Sequence, residues 1–268
     1  MAKIKTLLRI FNVLVRDPRC LVKVLDEETK KKGYVIKRYG YEYGLPTIDL
    51  LDLFPNFEET VEPYSFLEGT SLPTDLALLK ALARKYDYCR YLEIGTWRGE
   101  SVANVAAIAD ECVSINLSDD EMRQRGFSSE FIKVHRFFSK NFKNIFHIGH
   151  NSHSFDFSVF KEKFDLIFID GEHTYKSIKI DTQNAFRLLR DSSSVIVWHD
   201  YGFSPERVRW SVLAGILDGC PEEKRDNLYH ISNTLCAIYM HGKFETTFMT
   251  FPQIPNKSFT VKLSVAKV

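Results

Sequence analysis

From Pro73 onward, short unbroken apolar runs alternate with longer stretches in which apolar residues return every three or four positions. The runs are CRYLEI, CVSINL, NIFHIG, FDLIFID and SSVIVWHD. Continuous runs of this length suit strands buried on both faces, and the stretches between them suit helices that cover those faces. Helices are predicted over TDLALLKALARKY, ESVANVAAIAD, SIKIDTQNAFRLLR and PERVRWSVLAGILDG, the first capped by Thr74 or Asp75. Such alternation builds βαβ units and an α/β, mostly parallel sheet with helices on both faces. Two last runs, LYHIS and LCAIYM, have no helix between them, so one is expected to run antiparallel, for seven strands in all.

Before Pro73 the pattern differs. Leu7, Leu8, Phe11, Leu14 and Val15 recur at helical spacing, with Lys3, Lys5, Arg9 and Arg16 alongside. This predicts an amphipathic helix packed on its own domain or on a second copy in a homo-oligomer; the alternative is peripheral contact with a membrane surface. Arg9 interrupts the apolar stretch and RDPRC is no small-residue cleavage site, which argues against a signal peptide. DEETKKKGYVIKRYGYEYGLPTIDLLDLFP has no sustained period. Residues 1–72 are therefore read as a helical and irregular extension, a cap or lid, on a domain spanning 73–268.

Composition narrows the function classes. A net charge of +1 argues against a dedicated nucleic-acid binder, which needs a cationic face. No apolar run approaches the roughly 20 residues that cross a bilayer. Cys20, Cys89, Cys112, Cys220 and Cys236 are scattered without a C-x-x-C pair, the usage of a cytoplasmic protein with neither disulfide frame nor zinc knuckle.

In an open parallel sheet, ligands bind beyond the carboxyl ends of the strands, so the residues just after each run carry the chemistry. After the first comes Glu93-Ile94-Gly95-Thr96-Trp97-Arg98-Gly99, a glycine turn leading into a helix. Glycines let backbone pass close under a ligand, and a helix start offers free N–H groups. A dinucleotide fingerprint needs a third glycine, and Glu93 would repel a pyrophosphate; a ligand with an ammonium and a sulfonium would be attracted. A nucleotide-dependent oxidoreductase is accordingly disfavoured.

YLEIGTWRGES resembles motif I of the class I methyltransferases that use S-adenosylmethionine (SAM). FDLIFIDGEHTY followed by VIVWHDY is similar to the metal-assisted O-methyltransferases related to those acting on macrolide sugars. The resemblance covers roughly residues 75 to 240 and implies a Rossmann-like SAM methyltransferase fold. It implies that Gly95, Thr96 and Gly99 pass under the methionine part of SAM, with Glu93 near its amino group and Ser101 near its carboxylate. Asn116 falls where the family holds the ribose hydroxyls with an acid, and Asn151 with Ser152 where an Asp-Ser pair reads the adenine. Each Asp-to-Asn change replaces a charge-assisted bond with a neutral one, about 1 kcal/mol weaker, a several-fold loss of affinity. These two changes leave open an alternative: a methyltransferase-fold protein without turnover that serves as a binding or scaffold module.

Asp170, His173, His199 and Asp200 follow the two most apolar runs. Asp170 and Asp200 could converge on a divalent cation with His199 as third ligand; oxygen donors favour Mg²⁺, and a histidine shifts the preference toward Mn²⁺. Methyl transfer to an alcohol needs its proton removed, which a metal and a histidine base promote. His173 is the expected general base and Asp170, also at the cofactor, its catalytic neighbour. The acceptor implied by the resemblance is a small molecule or glycan, with a sugar hydroxyl as the reacting group.

Three other features are read as structural. His147, His150 and His153 are three apart, and residues i and i+3 of a strand face opposite sides, so they do not share one metal, although His150 or His153 can border the adenine. The basic, tyrosine-rich segment around residues 29–44 reads as a solvated face with packed tyrosines. Asp181 reads as a surface or capping residue.

Overall fold

The computed structural model of the chain describes residues 19–267. The amphipathic helix expected over Leu7 to Val15, and with it any membrane contact, lies outside the described residues. In chain order the elements are α1 (Arg19–Tyr39), β1 (Thr47–Ile48), α2 (Leu50–Leu53), α3 (Pro73–Ala83), β2 (Arg90–Ile94) and α4 (Glu100–Ala106). There follow β3 (Glu111–Asn116), α5 (Asp119–Gln124), α6 (Ser129–Val134), β4 (Ile145–Gly149), β5 (Leu166–Ile169) and α7 (Tyr175–Leu188). The last are β6 (Val195–Trp198), the small pair β7 (Gly202–Ser204) and β8 (Arg207–Val208), α8 (Trp210–Gly219), β9 (Leu228–Ile231) and β10 (Ala237–Tyr239).

The main sheet has the order β1-β9-β10-β6-β5-β2-β3-β4. Strands β2 to β6 are parallel, β10 runs antiparallel to both β6 and β9, and β1 is parallel to β9. This is a Rossmann-like α/β sheet with eight strands rather than the expected seven. The eighth is β1, whose Thr47 and Ile48 pair with His230 and Ile231 at the edge. Two residues are too few to show a period, and flanking backbone bonds do the pairing: His230 N donates to Pro46 O at 2.8 Å and Ser232 N to Ile48 O at 3.0 Å.

The apolar runs divide between two cores by the two-residue period of a strand. Leu92, Ile94, Ile167, Ile169, Ile196 and Trp198 enter one core with residues of α7 and α8. Tyr91, Leu166, Phe168, Val195 and Val197 enter the other with residues of α3 and α4. Each fully buried aliphatic side chain contributes about 1.5–3 kcal/mol, which fixes the register of the central strands. Trp198 satisfies its indole by donating to Thr182 Oγ1 at 2.8 Å.

Two helix starts differ from expectation. Helix α3 begins at Pro73, with Leu72 as the preceding cap residue; Asp75 sits in the first turn and accepts from Leu72 N at 2.8 Å. Helix α8 begins at Trp210, not at Pro205, because residues 202–208 form the β7–β8 pair. Its first amides are capped from outside: Trp210 N and Ser211 N donate to the Glu28 carboxylate of α1 at 2.7 and 3.1 Å. A carboxylate on a helix N-terminus is favoured by both hydrogen bonding and the helix dipole. The tyrosine-rich segment is packed: Tyr34 and Tyr39 of α1 join Tyr175 of α7 in donating to Asp218. Cys89, Cys112, Cys220 and Cys236 are buried free thiols. Among the described residues no helix is long and apolar enough to cross a membrane.

Candidate functional site

The chain crosses from β2 to β3 and β4 on one side and returns on the other side of β2 to form β5 and β6. The strand order thus reverses between β2 and β5, where ligands collect in open α/β sheets. A cavity of about 760 Å³ opens there. It is lined from five strand ends: Gly95 and Thr96 after β2, Asn116 after β3, Asn151 to His153 after β4, Asp170 to His173 after β5, and His199 with Asp200 after β6. Gly69 and Thr70 reach it from the segment before α3, and the Trp97 ring stacks on Phe131 at its rim, 5.3 Å between centroids and 12° between planes.

Gly95 explains how the turn after β2 meets the DGEH segment. Its φ is +94°, and a Cβ there would lie 2.4 Å from Asp170 O and from Gly171 Cα. Only glycine lets the two strand-end loops touch at the reversal. Gly99, at φ +82°, packs on Ser139, whose Oγ would be 2.2 Å from a Cβ. Gly99 is therefore explained by packing, and it does not line the cavity.

Glu93 lies beneath the cavity, fully buried. Tyr91 Oη donates to its Oε2 at 2.8 Å and Thr96 Oγ1 to its Oε1 at 2.6 Å, and the Ser101 side chain also bonds it. Burial pushes the carboxyl up to about 7 against the pull of these three donors. Glu93 thus ties strand β2, its turn and the start of α4 together, and Ser101 turns inward to it. Asn116 lines the cavity, with Nδ2 2.6 Å from His135 Nε2 and Oδ1 accepting a long 3.4 Å bond from Thr96 N. Burial and the neighbouring Arg136 guanidinium push His135 down to about 4, so it is neutral and accepts from the amide. Asn151 Oδ1 accepts from His153 N at 3.1 Å, a local turn that shapes the loop beside Ser152.

Asp170, His173 and Asp200 each present one ligand atom, all within 4.8 Å of one another. His173 Nε2 lies 2.9 Å from Asp200 Oδ2, and its Nδ1 is buried with no partner. His199 is placed behind this trio. Its Nε2 is 3.2 Å from Asp75 Oδ2; its Nδ1 is 3.0 Å from Asp170 Oδ1 and 3.3 Å from Asp200 Oδ2, near enough to pair but out of line for a hydrogen bond. Burial opposes charge on His199, yet Asp170, Asp200 and Asp75 together hold it protonated well above the usual histidine range. Burial likewise works against the Asp200 carboxylate, but His173 and His199 hold it far below the usual carboxylate range. Asp200 has φ +55°, an uncommon backbone at a non-glycine residue, and Arg209 braces it with Nη2 3.2 Å from Oδ1.

Thr174, not Asp170 or Glu172, caps α7, its Oγ1 accepting from Ser177 N at 3.3 Å. Asp170 is left free for the cavity. Two residues of the site were not expected. Asp75 is fully buried, 124 positions before the His199 it pairs with; it also accepts from Leu235 N at 2.8 Å. Nothing local in TDLALL signals that partner. Asp181 is corrected from a surface or capping residue to a cavity-lining one, 2% exposed. Its signal was present: Ile178, Asp181, Thr182, Ala185 and Leu188 form one buried stripe of α7 at helical spacing.

Residues 92–201 match the model of a family described as a methyltransferase domain. The likeness to a methyltransferase domain is confined to these residues, fewer than half of the chain. The matched stretch runs from within β2 past Asp200 and holds every strand-end residue of the cavity named above; Asp75 lies outside it. Comparison with curated protein sequences returns no match. Among solved structures, the chain is similar to the O-methyltransferase of Bacillus cereus in complex with SAH, at 16% identity and a TM-score of 0.42, covering 64% of this chain and 82% of that one. It is similar to the cofactor-bound protein Rv0187 of MTB at 18% identity and a TM-score of 0.47, covering 64% and 81%. It is also similar to the YcgJ protein of Bacillus subtilis, at 17% identity and a TM-score of 0.36 over 47% of this chain. The chain spans about half, 49%, of the length of that protein. Likenesses this distant do not bear on the chemistry; the likeness to a methyltransferase domain rests on the family match.

Proposed function

We propose that this domain transfers the methyl group of SAM to a hydroxyl of a small-molecule or glycan-type acceptor, with His173 as general base. The observation that carries the reading is the meeting of Asp170, His173 and Asp200 within 4.8 Å at one end of the cavity. In the reaction the acceptor oxygen forms a bond to the methyl carbon, the carbon–sulfur bond breaks, and the sulfur leaves as the thioether S-adenosylhomocysteine (SAH). The acceptor's proton must go to a base. His173 Nε2 pairs with Asp200, which leaves Nδ1 as the lone-pair nitrogen for that proton. Asp200 then faces the imidazolium as it forms. The flat wall of Trp97 and Phe131 suits the apolar face of a ring-shaped acceptor.

The donor set also fits a divalent cation: two carboxylates, and two buried imidazole nitrogens without hydrogen-bond partners, His173 Nδ1 and His199 Nδ1. Asp170 and Asp200 would hold the ion, and His199 Nδ1 would be the nitrogen donor on giving up the proton that Asp170, Asp200 and Asp75 otherwise hold on it. A divalent ion supplies positive charge that lowers the pKa of a nearby hydroxyl. The clustering of His173 with the two acids favours a second reading, in which His173 is itself the nitrogen ligand. The test is SAH production across sugars and other hydroxyl acceptors, with and without chelator, for the wild type and His173→Ala. The proposal expects O-methylated product and a rate loss of about 10²–10⁴-fold in the variant. Methylation at nitrogen, or an undiminished rate in His173→Ala, contradicts it. A variant that loses cation binding as well as rate selects the second reading.

A further inference from the structure

Asp181 is the buried acid of the cleft with an oxygen left over. Its Oδ1 is buried and has no hydrogen-bond partner. The residue lines the same cavity as the Asp170, His173 and Asp200 cluster but takes no part in it. Its surroundings belong to the loop after β4 and the turn after β5: the Ser152 side chain bonds the carboxylate, and a Cβ on Gly171 would be 3.7 Å from its Oδ2. Burial pushes the carboxyl up to about 6, with Ser152 and His153 pulling it back. A buried acceptor with an unmet bond costs free energy, and a ligand that brings a donor to it recovers that cost.

The donor that fits is set by the rest of the cavity. Ile115, Met122 and Leu117 give it apolar lining at the β3 side, next to the Asn151–Ser152 loop. Apolar walls with one anionic acceptor suit a flat heteroaromatic ring that carries an exocyclic amine. The methyl-bearing sulfur must lie at the acid and histidine cluster after β5 and β6. The loop after β4 is at the far end of the strand order, separated from β5 by β2 and β3. Neighbouring strands are about 4.8 Å apart, so the span matches a ribose and a purine laid across the strand ends.

We propose that Asp181 reads the exocyclic amine of the donor's adenine, accepting its N–H on Oδ1, so that an acid from α7 supplies the recognition that Asn151 cannot supply as an anion. This rests on the cleft being the SAM site. It makes Asp181 a specificity residue for the donor, outside the Asp170, His173 and Asp200 cluster.

The test is calorimetric titration of the full chain with SAH and with its 6-deamino analogue, in which hydrogen replaces the exocyclic amine. The wild type is expected to prefer SAH by about ten- to one-hundred-fold, the worth of a hydrogen bond to a charged acceptor. Asp181→Ala should bind both alike, and Asp181→Asn, which keeps one acceptor oxygen and the side-chain volume, should fall between. A ratio of two affinities measured on one sample is insensitive to the folded fraction, and the Asn variant guards against loss of the Ala variant. Equal wild-type affinities for the two ligands, or an undiminished preference in both variants, overturn the role of Asp181 and leave the methyltransferase reading standing. No wild-type affinity for SAH overturns that reading and this inference with it.

Discussion

The buried Glu93 makes stability depend on pH in a way that Glu93→Gln should remove. The carboxyl is raised from 4.5 to about 7 because burial penalises its charge more than Tyr91, Thr96 and Ser101 favour it. Between those values the folded protein keeps a proton that the unfolded chain has released. Its contribution to stability is therefore fully present below pH 4.5 and is lost as pH rises through about 7. Integrated from pH 5 to pH 8, a shift of this size removes about 2–3 kcal/mol. His135 and His230 act oppositely: burial pushes each down to about 4, so the stability they carry grows as pH rises from 4 toward 6.5. The wild-type curve mixes these effects, whereas the difference between wild type and Glu93→Gln isolates the carboxyl. Gln keeps one acceptor oxygen, and Thr96 Oγ1 can accept from the new amide while it donates to Ser114 Oγ, 2.7 Å away. Urea unfolding at pH 5, 6, 7 and 8 is the assay. The variant should gain about 2–3 kcal/mol on the wild type between pH 5 and pH 8, whatever its offset at pH 5. A difference that stays flat with pH would refute the account of Glu93 as a buried, proton-holding anchor.

Other predictions follow from single contacts. Gly95→Ala forces a Cβ to 2.4 Å from the Asp170 carbonyl at a positive φ, and should lower the melting free energy by at least about 2 kcal/mol and weaken SAH binding in titration. Glu28→Ala uncaps α8 and should cost about 1–2 kcal/mol in urea unfolding, with SAH affinity unchanged. Asp200→Asn removes the charge that faces His173 and His199, and should cut turnover by 10²-fold or more in an SAH-release assay while the protein stays folded.

Much of this architecture is legible from pattern. The five continuous apolar runs are β2 to β6: β2, β3, β5 and β6 are buried on both faces and need no polar alternation, while β4 is the sheet edge and leaves Phe146 exposed; LYHIS and LCAIYM are β9 and the antiparallel β10. The strand-end rule gathers Gly95, Thr96, Asn116, Asn151, Ser152, Asp170, His173, His199 and Asp200 around one cavity. What escapes the sequence is long-range. β1 is two residues, too few to show a period, and Asp75 finds His199 only through the packing of α3 on the face of the central strands. The cap on α8 comes from Glu28, 182 residues away from Trp210. Asp181 escaped for a different reason: its place on the buried stripe of α7 was readable, but an acid on such a stripe is usually at its margin.

The central claim is that the cleft between β2 and β5 is a donor site with a cation-holding cluster at one end. Calorimetric titration of the full chain with SAM, alone and with Mg²⁺ or Mn²⁺, tests it most directly. The account predicts micromolar binding, with a cation response that disappears in the Asp170→Asn/Asp200→Asn double variant. A folded sample that binds no SAM up to millimolar concentration would contradict it.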